Sequence, residues 1–285
     1  MQTITTIADL RRQVAAWRRA GERIALVPTM GNLHAGHLQL VEEARRRAER
    51  VVVSVFVNPM QFSDTAGGDF ERYPRSAEAD REKLAASGTD LVFFPSQDEM
   101  YPAGFENVTR VEVPGISGIL CGAFRPGHFV GVATVVAKLF NMAQPEVAVF
   151  GEKDYQQLLV IRRLSEELCF PIEIVGVPTV READGLAMSS RNQYLDTEQR
   201  QRAAALYQAL RAAKERLASG ETDMAVIEVA AAASLEAAGF RVEYFTVRRA
   251  HDLQPATADD AELVILAAAW LGEARLIDNL RLRRD

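Results

Sequence analysis

The chain has 285 residues, of which 48% are hydrophobic and 25% are charged, a composition typical of a folded globular protein rather than a disordered one. The net charge of -6 argues against nucleic acid as the main partner, because binding to a phosphate backbone normally requires a basic excess. No apolar run approaches the roughly 20 residues that cross a bilayer, and no N-terminal signal peptide is visible, so we expect a cytoplasmic protein without membrane contact.

Two residue types are scarce enough to be informative. The only cysteines, Cys121 and Cys169, lie far apart and in no metal-type cluster, which favours packing residues over a disulfide or a structural zinc site. Of the 33 basic residues only four are lysines, so a lysine inside a motif is not background. The four are Lys83, Lys138, Lys153 and Lys214.

The first part of the chain alternates between strand and helix patterns. Apolar runs rich in β-branched residues predict strands at 24–27, 51–57, 91–94, 147–150 and 172–177. Helical spacing of apolar residues predicts helices around 7–17 and 38–48, with further helices at about 76–87, 128–143 and 154–168. This alternation predicts an α/β fold whose parallel sheet has helices on both faces and binds ligands beyond the carboxyl ends of its strands.

Two later segments depart from this alternation. The stretch 101–126, rich in glycine and proline around a predicted strand at 108–113, could form a lid or an interface element. After Pro178, alanine-rich helices at about 197–218 and 223–238 precede predicted strands at 242–247 and 263–269. We therefore predict a larger domain over 1–178 and a smaller C-terminal α+β domain over 179–285.

The strongest candidate for chemistry is segment 28–37, Pro-Thr-Met-Gly-Asn-Leu-His-Ala-Gly-His, which follows a predicted strand and leads into a helix. Backbone N–H groups at a helix N-terminus favour an anion, and Gly31 and Gly36 allow the backbone to approach a phosphate closely. The segment therefore looks built for a nucleotide triphosphate. The plainer alternative is a tight turn whose histidines, His34 and His37, only cap the helix. A zinc site is weaker still, because no third ligand has a telling spacing.

Two further segments carry groups suited to phosphates. Segment 151–157, Gly-Glu-Lys-Asp-Tyr-Gln-Gln, again joins a strand to a helix. Its Lys153 can neutralise an attacked phosphate, while Asp154 either binds a ribose hydroxyl or caps the helix. Segment 188–191, Met-Ser-Ser-Arg, offers two hydroxyls and a guanidinium to a leaving pyrophosphate. In isolation, a plain loop explains this last segment equally well.

A fourth candidate is segment 58–62, Asn-Pro-Met-Gln-Phe, at the end of the second predicted strand. Its amides suit hydroxyls and a carboxyl group, and the alternative is a proline turn that leaves the sheet.

Together the four segments resemble the pantothenate synthetases, members of the nucleotidylyltransferase superfamily with its His-x-Gly-His signature. The same order and spacing continue through Tyr-Pro-Arg at 73–75, His-Phe at 128–129 and Pro-Thr-Val-Arg at 178–181.

This resemblance implies an enzyme of coenzyme A biosynthesis that joins pantoate to β-alanine. ATP would be consumed, AMP and pyrophosphate released, and a pantoyl-adenylate held on the enzyme. The resemblance also implies a Rossmann-like adenylation domain, a smaller C-terminal domain that covers the site, and a homodimer, with 108–113 as the guessed dimer contact. Magnesium would enter with ATP, with Asp80 as a ligand or a nearby partner, and no zinc or tightly bound organic cofactor is expected.

The resemblance further assigns roles to individual residues. His37 would act as general acid, and His34 and Lys153 would stabilise the phosphates. The other groups expected to meet developing charge are Ser189, Ser190 and Arg191. Pantoate or β-alanine would contact Gln61, Gln157 and Met30. The ATP contacts would be Met30, Gly31, His34, His37, Asn58, Gly151, Glu152, Lys153, Asp154, the Val180 backbone, Met188, Ser189, Ser190 and Arg191.

Departures from the family and competing functions bear on these assignments. The loop 63–72, which includes Ala66, Gly67 and Gly68, looks longer than in the family, and Ala79 stands where some relatives have an acidic residue; only the metal assignment depends on this.

The nearest competing function is that of a nucleotidylyltransferase that keeps the nucleotide in its product. The paired glutamines Gln61 and Gln157 and the second domain argue against it. A nucleotide-sensing protein on the same fold would be expected to lack a phosphate-site residue, and none is missing.

Overall fold

The computed structural model describes residues 1–62, 69–74 and 76–284. The predicted lengthening of loop 63–72 falls largely on residues outside these ranges, and Arg75 lies outside them as well. Within the described ranges, no helix has the length and apolar character needed to cross a bilayer.

The chain divides into two compact units. The first comprises Met1–Glu152 and Val160–Pro178, and the second comprises Lys153–Leu159 and Thr179–Asp285. The segment Lys153–Leu159 therefore belongs to the second unit, a grouping that the sequence pattern did not indicate.

The first unit contains a parallel sheet with six strands among the described residues. These strands are β1 (Gln2–Ile4), β2 (Ile24–Thr29), β3 (Arg50–Val55), β4 (Leu91–Phe93), β5 (Val147–Gly151) and β6 (Glu173–Val177). Their order is β1-β4-β3-β2-β5-β6, and every neighbouring pair is parallel. The five predicted strands are confirmed as β2 to β6. Strand β1 escaped prediction because three residues are too few to show a hydrophobic period.

Helices connect these strands and cover the sheet. All residues of β2 from 24 to 27 are at most 1% exposed, so neither face of this strand meets solvent. The helices are α1 (Ile7–Arg19), α2 (Ala35–Arg47), α3 (Asp69–Arg72), α4 (Ala77–Ala86), α5 (Gln97–Met100), α6 (Cys121–Phe124), α7 (His128–Ala143) and α8 (Tyr155–Glu167). The predicted α/β, Rossmann-like fold is confirmed.

The stretch 101–126 contains turns and short helices, so the strand predicted at 108–113 is wrong. Its β-branched residues favoured a strand, but its backbone is hydrogen-bonded to a side chain of a helix and not to a neighbouring strand. The N–H of Val111 donates to the hydroxyl of Thr134 on α7 at 2.9 Å, and Val113 is buried. The dimer contact predicted at 108–113 does not require a strand and stays a prediction.

The second unit is α+β, as predicted. Strands β7 (Arg241–Arg249), β8 (Glu262–Leu271) and β9 (Ala274–Arg283) form an antiparallel sheet in this order. The helix predicted at 197–218 is interrupted at 203–204 and forms α9 (Thr197–Arg202) and α10 (Ala205–Ala218), followed by α11 (Met224–Ala237). Apolar residues of α10, α11 and the sheet form one core that includes Leu210, Ile227 and Ile265.

The two cysteines differ in their surroundings. Cys121 is buried at the start of α6, as expected of a packing residue. Cys169 is exposed beyond the end of α8, in a left-handed backbone conformation with φ 55°, so the packing prediction is wrong there.

Candidate active site

The centre of the first unit's sheet is the natural place for a ligand. Strands β2 and β5 are neighbours there, with Ala25 opposite Val147, although they are far apart in sequence. Strand β3 lies on the other side of β2, so the strand order reverses between β2 and β5. In open parallel sheets, ligands bind beyond the carboxyl ends of the strands at such a switch point. The turn after β2 and the end of β5 at Gly151 lie at this edge.

The turn after β2 has an unusual backbone that is held by a buried carboxylate. Gly31 has φ 83° and Asn32 has φ 51°, a region that L-residues rarely adopt. Asp80 on α4 is 1% exposed and accepts the N–H groups of Asn32 and Leu33, each at 2.8 Å. One helical turn later, the ammonium of Lys83 donates to the carbonyl oxygen of Leu33 at 2.7 Å. Helix α4 therefore fixes the turn through both its N–H and its C=O groups.

Gly31 is also required by space. A Cβ at this position would lie 3.0 Å from Asp80 Oδ2 and 3.0 Å from Val55 Cγ1. A side chain would therefore crowd both groups as well as strain the left-handed backbone, which favours glycine here.

The two histidines begin helix α2. His34 is its N-cap, and its Nδ1 accepts the N–H of Gly36 at 3.2 Å. The Nδ1 of His37 accepts the N–H of His34 at 3.2 Å, which completes a reciprocal capping box. The two rings lie with their centroids 4.1 Å apart. The simple capping interpretation is thus correct in its geometry.

Capping uses only one nitrogen of each ring and thereby sets the tautomer. A nitrogen that accepts an N–H cannot carry a proton itself, so neutral His34 and His37 both have their proton on Nε2. The capping box therefore turns two adjacent imidazoles into a pair of N–H donors at a helix N-terminus. Such a pair suits anionic oxygens, as the sequence motif predicted.

Asp80 does not have the contacts expected of a metal ligand. Its two oxygens accept the two backbone N–H groups, and Oδ2 also accepts the hydroxyl of Ser76 at 3.1 Å. Across residues 1–62, 69–74 and 76–284 there is no group of three or more histidine, cysteine, aspartate or glutamate side chains that could hold a metal ion. Asp80 therefore holds the turn, and its predicted role as a metal ligand or a nearby partner stays a prediction.

Asn58 and Gln61 lie at the carboxyl end of β3, on either side of Pro59 and Met60. Both are buried, at 1% and 8% exposure. The Asn58 amide donates to Gln61 Oε1 at 3.2 Å and to the carbonyl oxygen of Gly131 at 3.0 Å, while its Oδ1 accepts the hydroxyl of Tyr101 at 2.8 Å. Both N–H groups of Asn58 are thus engaged within the protein, and the ATP contact predicted for Asn58 stays a prediction.

Gln61 is held through its backbone as well as its side chain. Its Nε2 lies 3.1 Å from the sulfur of Met30. Its carbonyl oxygen lies 2.8 Å from His128 Nδ1 and accepts Arg125 Nη2 at 3.3 Å. Met30, Gly31, His34, His37 and Gln61 therefore belong to one region of the first unit, close to the switch point.

The second unit carries the lysine motif. Lys153 lies in a short 3-10 helix, Glu152–Asp154, that leads into α8, and its carbonyl oxygen accepts the side-chain amide of Asn279 on β9 at 3.0 Å. The N–H of Asn279 donates to Asp278 at 2.7 Å. Of the two glutamines on the first turn of α8, Gln156 is buried and Gln157 is half-buried, as is Asp154.

A buried ion pair lies next to this contact. Arg181 donates to both oxygens of Asp278 at 2.6 and 2.9 Å, and its guanidinium lies 4.0 Å from the centroid of the Tyr207 ring. Burial raises the pKa of Asp278, against the lowering effect of Arg181. The pair therefore ties Arg181, the last residue of the Pro-Thr-Val-Arg segment, to β9.

Segment 180–191 forms a hairpin that ends in a helical turn. Met188 donates its N–H to the carbonyl oxygen of Val180 at 3.0 Å. Ser189 is the N-cap of the 3-10 helix Ser190–Tyr194, and its hydroxyl oxygen accepts the N–H of Arg191 at 3.2 Å. The expected loop at 188–191 is therefore the start of a helical turn, with these residues half-buried.

Sequence reasoning missed the residues that support these motifs from a distance. Tyr101 and Gly131 hold Asn58, and Asn279 holds the backbone of Lys153. None belongs to a recognisable motif, because each acts through a contact between residues far apart in the chain. In the sequence, Tyr101 shows only as a tyrosine at the start of a glycine- and proline-rich stretch.

Comparison with known proteins identifies the family. The family model described as pantoate-beta-alanine ligase matches residues 2–281. The pantothenate synthetase of Thioalkalivibrio sulfidiphilus is 59% identical over 98% of this chain and 97% of its own, and that of Idiomarina loihiensis is 57% identical over 99% and 98%.

Solved structures agree with these matches over almost the full length. A crystal structure of pantothenate synthetase from Thermus thermophilus has a TM-score of 0.91 at 51% identity, covering 98% of this chain and 99% of that one. A crystal structure of pantoate-beta-alanine ligase from Francisella tularensis, complexed with beta-gamma ATP and beta-alanine, has a TM-score of 0.82 at 32% identity, covering 98% and 97%. The chain therefore belongs to the pantoate–β-alanine ligase family.

Proposed function

We propose that this chain joins pantoate to β-alanine at the expense of ATP, forming pantothenate, AMP and pyrophosphate through a pantoyl-adenylate. The observation that carries the proposal is the family match over residues 2–281, which includes all four motifs. The imidazole pair at the switch point of the first unit's sheet gives this family assignment a physical basis.

In the first step a pantoate carboxylate oxygen attacks the α-phosphorus of ATP. A new P–O bond forms, the bond to the β-phosphate oxygen breaks, and pyrophosphate leaves with the electron pair. The Nε2–H groups of His34 and His37 donate hydrogen bonds to phosphate oxygens as their charge grows, and the acid role proposed for His37 is this donation, without transfer of the proton. Each well-aimed donor of this kind typically stabilises a transition state by about 3 kcal/mol.

Further groups are proposed to meet the same charge. Lys153 supplies a cation, Ser189 and Ser190 supply hydroxyls, and Arg191 supplies a planar set of donors. The cap formed by Ser189 supports this role, because it orients the N–H groups and side chains at the start of a helical turn. The ATP contacts at Met30, Gly31, Gly151, Glu152, Asp154, the Val180 backbone and Met188 remain part of the proposal.

Pantoate is proposed to bind Gln61, Gln157 and Met30. The position of Gln61 supports this, because a buried amide with a fixed backbone binds a small hydroxy acid with little loss of side-chain entropy. In the second step the neutral amine of β-alanine attacks the pantoyl carbonyl carbon, the C–O bond to the phosphate breaks, the nitrogen loses a proton to solvent, and AMP leaves. No protein nucleophile is needed in either step.

Magnesium is proposed to arrive on the phosphates of ATP, whose negative charge it would partly neutralise. The engaged oxygens of Asp80 offer no ready carboxylate ligand, so no chemical step of this proposal relies on a protein-held metal. The division into domains at 1–178 and 179–285, a homodimer and a cytoplasmic location also remain proposals.

The test is a product assay with ATP and Mg²⁺ and with pantoate alone, β-alanine alone, or both. We expect steady release of free AMP and pyrophosphate only when both acids are present. A nucleotide retained in the organic product would instead indicate the rival nucleotidylyltransferase. Well-folded protein whose ATP turnover responds to neither acid would contradict the proposal at the level of substrate.

A further inference from the structure

The buried hydroxyl of Tyr101 lies at the end of a hydrogen-bonded chain that leads to Gln61. Tyr101 is 2% exposed, and its ring packs against Phe56 with centroids 6.0 Å apart. The ammonium of Lys138 lies 5.4 Å from the centroid of the same ring. Burial raises the pKa of the phenol above its ordinary value, so the group is a protonated donor. Its proton is directed at Asn58 Oδ1, 2.8 Å away.

The orientation of Asn58 follows from its fixed neighbours. The carbonyl oxygen of Gly131 can only accept, so the group 3.0 Å from it must be the Asn58 NH₂. Helix α7 packs directly on the 59–61 turn at Gly131, where a Cβ would lie 2.3 Å from the carbonyl oxygen of Met60. With Nδ2 fixed by Gly131, Oδ1 faces the Tyr101 hydroxyl.

The orientation of Gln61 follows in turn. The second N–H of Asn58 donates to the Gln61 side chain at 3.2 Å, so the atom facing it must be Oε1. Gln61 Nε2 then points the other way, towards the sulfur of Met30 at 3.1 Å. Tyr101 and Gly131 thus determine which end of the Gln61 carboxamide faces Met30, the other residue proposed to contact pantoate.

We propose that Tyr101 and Asn58 are positioning residues that make Gln61 present an N–H donor to pantoate. A donor selects ligand oxygens that accept, such as those of a carboxylate or a hydroxyl, and disfavours groups that can only donate. The inference rests on the proposed binding of pantoate by Gln61. It adds a specificity role for Tyr101, a residue in none of the four motifs.

The direct test is Tyr101→Phe, which removes one hydroxyl and keeps the ring contacts. We expect the KM for pantoate to rise about five- to tenfold, as befits the loss of one buried hydrogen bond, with kcat and the KM values for ATP and β-alanine nearly unchanged. A matched control is Thr246→Val on β7, which removes a buried hydroxyl that donates to Glu228 at 2.8 Å. Its kinetic constants should stay at those of the parent protein.

A double-mutant cycle distinguishes positioning from general structural damage. Gln61→Met should itself raise the KM for pantoate, and adding Tyr101→Phe should then have no further effect on that constant. Equal effects of Tyr101→Phe in both backgrounds, or a uniform change in all KM values and kcat, would overturn the inference. An unchanged KM for pantoate in Gln61→Met would instead refute the proposed binding role of Gln61.

A second variant covers the case in which Tyr101→Phe does not fold. Gln61→Glu keeps the shape of the side chain and the bond from Asn58, but it presents an acceptor to the ligand. We expect its KM for pantoate to exceed that of Gln61→Met. Binding by Gln61→Glu that equals or surpasses binding by Gln61→Met would show that the ligand meets an acceptor, and the inference would be wrong.

Discussion

The turn at 30–34 in the first unit and the lysine motif in the second are both held from a distance, but by bonds of different strength. The turn is held by the buried carboxylate of Asp80, which is 48 residues from Asn32 and accepts two backbone N–H groups. The carbonyl oxygen of Lys153 accepts one neutral amide, that of Asn279, 126 residues away. Bonds to a buried charge contribute more than a neutral bond, so the turn should depend more strongly on its support.

The largest effect is expected where the charged group itself is removed. Lys153→Ala should slow adenylation by roughly 100- to 1,000-fold, because the phosphates lose a cation in the transition state, with little change in the free energy of unfolding. Pantoate-dependent exchange between ATP and pyrophosphate measures this step. Lys214→Ala on α10 is the matched control and should exchange like the parent protein. Normal exchange by Lys153→Ala would remove Lys153 from the mechanism.

The carboxylate that holds the turn should come next. In Asp80→Asn, one N–H of the turn faces an amide NH₂ in place of an oxygen, so we expect the free energy of unfolding to fall by about 2 kcal/mol or more. Adenylation should slow on the order of tenfold as the histidine donors lose their alignment. Urea denaturation and the exchange assay measure the two effects. The exposed residue Asp98 provides the control Asp98→Asn, and equal behaviour of the two variants would contradict the role of Asp80.

The backbone of the same turn can be tested without removing any hydrogen-bonding group. Gly31→Ala forces a Cβ into a left-handed conformation and to 3.0 Å from Asp80, which should lower the free energy of unfolding by about 1–2 kcal/mol. Thermal and urea unfolding report this change. Gly118→Ala is the control, since a Cβ there meets no atom within 4 Å. Unchanged stability of Gly31→Ala would mean that the turn is not constrained as described.

The smallest effect is expected at the neutral contact of the second unit. Asn279→Ala removes one hydrogen bond to the Lys153 backbone, so we expect about a fivefold loss in the adenylation rate. The exchange assay applies again, with Asn279→Asp as a companion that keeps the size of the side chain but lacks the N–H donor. If Asn279→Ala reduces adenylation more than Asp80→Asn does, the proposed difference between the two regions is reversed.

The same contrast explains what the sequence could predict. The capping box of His34 and His37 is local. Its two residues lie three positions apart in one motif, so the sequence could predict that they meet at the start of the helix. Asp80 was visible as an acidic residue, but its role depends on a contact across 48 residues, and it was taken for a metal partner. The bonds of Asn58 to Tyr101 and Gly131 were not predicted either, because both partners are remote in sequence.

Strand prediction failed for a related reason. Strand β9 was missed because the pairs Leu276-Ile277 and Asp278-Asn279 interrupt its alternation of apolar and polar residues, and its buried polar residues have partners that no local pattern reveals. Asp278, for example, is buried against Arg181, which is 97 residues away. The segment 108–113 shows the opposite error, since its β-branched residues favoured a strand although its backbone bonds to a helix. Long-range partners therefore decided both cases.

The central claim, attack of the pantoate carboxylate on ATP, is tested most directly by following oxygen. Pantoate labelled with ¹⁸O in its carboxylate is incubated with ATP, Mg²⁺, β-alanine and the protein, and the AMP is examined by mass spectrometry. The account predicts one ¹⁸O atom in each AMP, because the carboxylate oxygen bonded to phosphorus stays with AMP when the amine attacks the carbonyl carbon. Unlabelled AMP formed together with pantothenate would contradict the acyl-adenylate and with it the roles assigned to both regions.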